Sequence, residues 1–259
     1  MRSWHAPDVY WPIGRRNLLL YEGPSQLTGA RILVIATAQN GNRKIGHMLQ
    51  LWILPAISPI AAVRSGADAA VCGDCPHRGE GDGRQRSCYV WSPGVDNIWQ
   101  ARGKAVRMEP AAFAAQHGGL QLRIGAYGDP VAVPIWVWAP LLQTADGWTA
   151  YTHQWRTPRA REYRTWCMAS VDTPAEQHEA ALAGWRTFRV RQADEPLRGD
   201  EVSCPASAEG GHRTVCATCE LCQGAARVGV RHVAIVAHGR GSVHLPAARA
   251  RIIPLKAVS

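Results

Sequence analysis

Apolar positions in this chain come in short runs separated by polar turns. Ala30 to Thr37 (ARILVIAT) is a β-branched run with the length of a buried strand. A polar Gln39-Asn40-Gly41-Asn42 turn follows, and Met48 to Leu54 reads as a second strand closed by Pro55. Asn40-Gly41 is a hairpin-type turn signal, with the basic Asn42-Arg43-Lys44 stretch lengthening the loop. Gly79 to Arg86 is a Gly-rich, charged loop, and Asp96 to Arg107 and Pro110 to His117 carry helical spacing. Beyond them strand and helix signals alternate. Strands are expected at Leu120 to Ala126, Trp148 to Thr152, Thr165 to Val171 and Trp185 to Val190, with a last one at His232 to Ala237. Helices are expected at Val133 to Gln143 and, with Pro in its first turn, at Pro174 to Ala183.

That alternation predicts parallel β/α units with right-handed crossovers. The expected fold is α/β: a single partial or complete parallel β/α barrel over residues 1–259, carrying two cysteine-rich insertions at 72–88 and 201–224. Asp129, His153 and Asp172 fall just beyond predicted strand ends, where β/α folds place their sites. Asp129 and Asp172, with His153 between them, make a candidate acid/base set, with Asp129 and His153 the catalytic candidates and Asp172, Tyr127 and Tyr151 the cofactor-binding ones. Structural roles compete, since Asp129-Pro130 can form a turn and Asp172 before Thr173-Pro174 can cap a helix. Tyr127, Tyr151 and Trp155 suit base stacking or pocket lining, and equally core packing.

The chain has 259 residues, 46% of them hydrophobic, which is enough for a sizeable core and argues against disorder. No stretch approaches the ~20 apolar residues of a membrane span, and Met1 to Pro12 lacks a signal-peptide core, so a soluble cytoplasmic protein is expected. The net charge of +9 comes from 29 basic and 20 acidic residues, and only Lys44, Lys104 and Lys256 are lysines. Arg suits phosphate, although a GC-rich genome supplies Arg, Ala and Gly codons without any such selection. Arg156, Arg159, Arg161 and Arg164 lie within nine residues with Tyr163 among them, a pattern for phosphate contact and base stacking or for a solvated loop face. There is no P-loop, dinucleotide Gly fingerprint or H-E-x-x-H motif.

Eight cysteines in a reducing compartment point to metal or redox chemistry rather than disulfides. Cys204-Pro205 precedes Cys216, Cys219 and Cys222, a C-x2-C-x2-C run plus one distant thiol, which suits a cubane iron–sulfur cluster or a structural zinc. Cys72, Cys75 and Cys88 form a second group with only three thiolates. Three ligands leave a coordination position open, unless His77 supplies the fourth and closes a zinc site. Cys167 lies in a predicted strand as a small core residue.

The order of these motifs resembles the phage gene-product-88 family. The resemblance rests on Asn42 to Gly46, Cys72, Cys75 and Cys88-Tyr89, Arg123 to Asp129, Tyr151-Thr152, and Cys204-Pro205 with Cys216, Cys219 and Cys222. It spans roughly residues 40 to 225. More distantly the chain is similar to radical SAM proteins, in which three cysteines, the last often followed by an aromatic residue, bind a cluster at the top of a partial β/α barrel. Those proteins usually space their cysteines by three and then two residues, whereas the gaps here are two and twelve. The resemblance implies a metal-bearing β/α fold of phage or mobile-element type.

Two functional readings follow. The first is an iron–sulfur enzyme with one or two 4Fe–4S clusters and S-adenosylmethionine, acting on a nucleotide or nucleic acid, with Asp129 and His153 facing the substrate. The second is a zinc-binding, nucleic-acid-binding protein without catalysis, in which both cysteine groups are structural.

Overall fold

A computed structural model of the chain describes residues 16–38, 42–90, 92–227, 229, 231–250 and 252. The expected Asn40-Gly41 turn lies outside these residues. The chain enters through β1 (Leu18–Pro24), which pairs antiparallel with β2 (Arg31–Thr37), and β2 pairs antiparallel with β3 (Leu49–Pro55). The β2–β3 pairing agrees with the hairpin-type signal between the two runs, and the antiparallel entry corrects the expectation of a wholly parallel sheet.

After β3 come α1 (Pro59–Ser65), the single-turn α2 (Ala69–Cys72), α3 (Ser92–Gln100), the short β4 (Val106–Arg107) and α4 (Pro110–His117). The helix expected over Asp96 to Arg107 therefore stops early. A 3-10 turn follows it, and Val106–Arg107 then extends to pair with the edge of β1. The second half contains β5 (Gln121–Tyr127), α5 (Ile135–Thr144), β6 (Gly147–Thr149), β7 (Tyr151–Thr152), β8 (Met168–Val171), α6 (Pro174–Leu182) and β9 (Thr187–Arg191). It closes with β10 (Glu201–Ser203), α7 (Cys216–Cys219), β11 (His232–Val236) and α8 (Leu245–Ala250). The strand expected from Thr165 begins only at Met168, because Trp166 and Cys167 turn back to bond the Tyr163 carbonyl.

From β3 onward every pairing within the two sheets is parallel. One sheet has the order β4-β1-β2-β3-β5-β6 and the other β10-β11-β9-β8-β7. Only Ala150 separates β6 from β7, so one extended run ends the first sheet and begins the second. Ala150 is itself tied in, with its carbonyl accepting from the Met168 N–H at 2.9 Å. The parallel strands thus follow one another in space in chain order from β3 to β9, and their carboxyl ends face the same way.

Burial explains the frame. Ile32, Val34 and Ile35 of β2 and Leu51, Ile53 and Leu54 of β3 are completely buried against Phe113, Trp138 and Tyr163. This continuous apolar run is what a strand covered on both faces requires. A smaller apolar cluster lies at the second sheet, where Met168, Val233 and Ile235 pack with Cys204 and Cys222. Among the described residues no helix is long and apolar enough to cross a membrane.

Candidate functional site

The carboxyl ends of the parallel strands surround a cavity of about 420 Å³. Its walls include Tyr127 at the end of β5 and Asp129 beyond it, Tyr151 and His153 at β7, and Phe188 and Val190 of β9. Cys72, Cys75 and Cys88 reach it from the first cysteine-rich loop, and Cys216 reaches it from the second. The first cysteine group and Cys216, well over a hundred residues beyond it, therefore open onto one space.

Local geometry brings the first three thiols together. Cys72 ends α2, and Gly73 there has φ of 59°, a left-handed turn where a Cβ would strike the Gln154 side chain. Cys75 leads into a 3-10 turn at Pro76–Arg78, and the Cys88 N–H donates to the His77 carbonyl at 3.1 Å, returning the chain after the Gly-rich loop. The Arg78 guanidinium fastens the loop, donating to Asp68 Oδ1 at 2.7 and 3.0 Å and to the carbonyls of Gly66 and Gly73. The second group is held from below. Arg186 donates to the carbonyls of Leu221 at 2.7 Å, Gly224 at 3.2 Å and Arg231 at 2.8 Å, a three-way grip that needs a guanidinium fork.

All eight cysteines are free thiols. Burial pushes the Cys72 and Cys75 thiols far up, and the neighbouring Cys88 raises both further. Burial also pushes Cys222 up to about 12, with Cys204, Cys216 and Cys219 adding to it, while the Tyr151 hydroxyl hydrogen-bonds its sulfur and lowers it. Within each group, then, the sulfurs feel one another, and their charged forms want a cation. Clustered thiols of this kind are a donor chemistry shared by structural zinc and iron–sulfur sites. Among the described residues, the set of three metal-ligating side chains whose ligand atoms lie within 4.8 Å of one another is His77, His153 and Asp172.

Both ring nitrogens of His77 have partners other than the thiols. Its Nδ1 meets Ser87 Oγ at 2.7 Å and its Nε2 meets Asp172 Oδ1 at 2.8 Å. Asp172 is available because the cap of α6 is taken by its neighbour. Thr173 Oγ1 accepts from the Glu176 N–H at 3.1 Å, and Glu176 accepts from the Asp172 N–H at 2.9 Å. This corrects the reading of Asp172 as the helix cap. Burial raises the Asp172 carboxyl, but the charge of His77 and its hydrogen bond outweigh that and hold it below the ordinary range.

Asp129 and His153 are joined through the backbone. Asp129 accepts from Thr152 Oγ1 at 2.8 and 3.0 Å, from the Val131 N–H at 3.0 Å and from the His153 N–H at 2.9 Å. Its acceptor capacity is thus taken up in tying the end of β5 to the end of β7, a positioning task, although burial lifts its carboxyl to about 6. His153 presents an edge to His77, with ring centroids 5.2 Å apart, and its buried Nε2 has no hydrogen-bond partner. Burial, then the neighbouring His77, pushes the His153 imidazole down to about 4.

The aromatic and basic candidates divide. Tyr127 and Tyr151 line the cavity, and the Tyr127 hydroxyl is buried without a partner. Trp155 is core, its Nε1 donating to the Ser170 carbonyl at 3.1 Å with the Arg156 guanidinium stacked over its ring. Arg156 is paired with Glu176 and Glu179, and Arg164 donates to the Ala183 carbonyl at 2.9 Å. Arg159 and Arg161 are exposed, while the interleaved Tyr163 is buried and donates to the Val133 carbonyl at 2.7 Å. None of the four arginines lines the cavity, and Tyr163 offers no face for a base. Cys167 is a buried core residue just before β8.

Sequence reasoning passed over Arg123, Lys44 and Ser87, which all line the cavity. Arg123 is buried and donates to Tyr89 Oη at 2.8 Å and Gln50 Oε1 at 3.2 Å. An Arg inside an apolar strand run was the available signal, since a buried guanidinium needs partners or a ligand. No family model, curated protein or solved structure matches this chain.

Proposed function

We propose that this chain is an iron–sulfur protein built on a partial β/α barrel, similar to the gene-product-88 family and distantly to radical SAM enzymes. Cys72, Cys75 and Cys88 would hold a 4Fe–4S cluster with one iron open to the cavity, and Cys204, Cys216, Cys219 and Cys222 a second cluster. One observation carries this reading: Cys72, Cys75 and Cys88, with the His77 ring engaged by Ser87 and Asp172, open onto a cavity at the carboxyl ends of consecutive parallel strands, which Cys216 of the second group also lines. When bound, an open-iron cluster supplies one-electron reduction of a ligand held at that iron, S-adenosylmethionine in the enzymes it resembles.

The chain's own residues would shape what enters. A cavity of this size suits a nucleotide-sized ligand. Tyr127, Tyr151 and Phe188 offer ring surface for a base, and Lys44 and Arg123 offer cationic donors for a carboxylate or phosphate. Asp129 holds the His153 backbone at the cavity wall. A nucleotide substrate is accordingly the favoured class over a nucleic-acid strand, because the exposed arginines lie away from the cavity.

The test is electron paramagnetic resonance of the anaerobically reconstituted, reduced protein with and without S-adenosylmethionine. The expected result is a cluster signal that shifts on addition, with the shift lost in Cys88→Ser while the second cluster's signal persists. A signal indifferent to S-adenosylmethionine, or a shift retained in Cys88→Ser, overturns the open-iron assignment.

A further inference from the structure

We infer that His77, His153 and Asp172 form a separate site for a single divalent transition-metal ion, distinct from both cysteine groups. The three side chains come from three places: the first cysteine loop, the residue after β7 and the residue after β8. Their ligand atoms nevertheless lie within 4.8 Å of one another. The 2.8 Å between His77 Nε2 and Asp172 Oδ1 matches the edge shared by two ligands at right angles, each about 2.0–2.1 Å from one ion.

Neighbouring groups point the same way. A metal-bound imidazole characteristically donates its other N–H to an oxygen, and His77 Nδ1 lies 2.7 Å from Ser87 Oγ. Asp172 is excused from helix capping by Thr173 and Glu176, which leaves its carboxylate facing the two rings. His153 supplies the strongest argument. Its Nε2 is buried and lies 4.0 Å from Asp172 Oδ2, too far for a hydrogen bond. A simple His77–Asp172 hydrogen-bonded pair accounts for two of the three side chains and leaves this nitrogen unsatisfied, a cost that buried polar groups rarely bear. An ion between the three satisfies all of them.

Donor chemistry narrows the ion. Two imidazole nitrogens and one carboxylate suit Fe²⁺, Mn²⁺, Co²⁺ or Zn²⁺, and are too nitrogen-rich for Ca²⁺ and too hard for Cu(I). Three protein ligands leave coordination positions free, and His77 and His153 both line the cavity, so a ligand there would reach the ion.

Mn²⁺ is the probe, because as a hard ion it discriminates against the cysteine thiolates. Titration of the full chain, read by the resonance signal of free Mn²⁺, should show one bound ion per chain. His153→Ala, which removes a ring nitrogen without a hydrogen-bond partner among the described residues, should weaken binding more than tenfold, and Asp172→Asn likewise. Ser87→Ala should weaken it by about 10–100-fold as a residue that orients His77. The Cys72→Ser/Cys75→Ser/Cys88→Ser variant should bind Mn²⁺ as the parent does, which separates this site from the cluster assignment. No binding by the folded parent chain, or binding unchanged in both His153→Ala and Asp172→Asn, overturns the inference.

Discussion

Single residues in this protein show how one contact decides whether a polar group is structural or available. Asp129 has its oxygens filled by four hydrogen bonds from three residues, whereas the His153 Nε2 a short distance away has none. His232 shows the same logic away from the cavity. Its Nδ1 accepts from the Thr187 N–H at 2.9 Å, a bond that requires the neutral ring. Burial, aided by Arg186 and Arg198, lowers its pKa below the usual 6.5, against the opposing pull of Asp200 and Glu201. A depressed histidine pKa means the unfolded chain binds the proton more readily. Its contribution to stability is therefore complete above pH 6.5 and is lost as pH falls through the folded-state value. His232→Asn keeps an acceptor that does not titrate. Its melting temperature should fall less than the parent's between pH 7.5 and pH 5, and equal losses in the two proteins would refute this role.

At the scale of elements, the best-buried ion pair ties the far edge of the second sheet to its middle. Arg189 of β9 donates from Nε and one terminal nitrogen to the two oxygens of Glu201 of β10, both at 2.7 Å, across the intervening β11. Both side chains are almost wholly buried, at 1% and 0% exposure. Glu201→Ala leaves a buried guanidinium with its main partner gone and should cost about 3–5 kcal/mol in chemical denaturation. A loss below about 1 kcal/mol would mean the edge is held by something else. Much of this element pattern was legible in the chain. From β5 to β9 each strand run is bounded by a turn residue or a capped helix start, so period and punctuation agree. β1 escaped because Leu18-Leu19-Leu20 is apolar without alternation, and β10 because three residues are too short to carry a period. The antiparallel β2–β3 pairing was announced by the hairpin-type signal between the two runs, whereas the β1–β2 pairing was not, because β1 itself carried no period.

For the molecule as a whole, the +9 charge reads differently once the arginines are placed. Arg123, Arg186, Arg189 and Arg191 are buried and hold carbonyls, carboxylates or side-chain oxygens. Part of the arginine excess therefore serves as internal bracing, which composition alone could not separate from phosphate binding. The site was legible at its strand ends, since Asp129, His153 and Asp172 each follow a parallel strand. It was not legible in its partnerships, because His77 lies 95 positions from Asp172 and only the fold brings them within 2.8 Å. The meeting of the first cysteine group with Cys216 at one cavity belongs to the same class of fact.

The most direct measurement is the metal and sulfide content of the anaerobically purified full chain, parent against Cys72→Ser/Cys75→Ser/Cys88→Ser. Two cubane clusters predict about eight irons and as many acid-labile sulfides per parent chain, a brown colour, and close to half of both in the variant. A colourless parent carrying stoichiometric zinc and no labile sulfide, or iron unchanged by loss of the three thiols, would contradict the account.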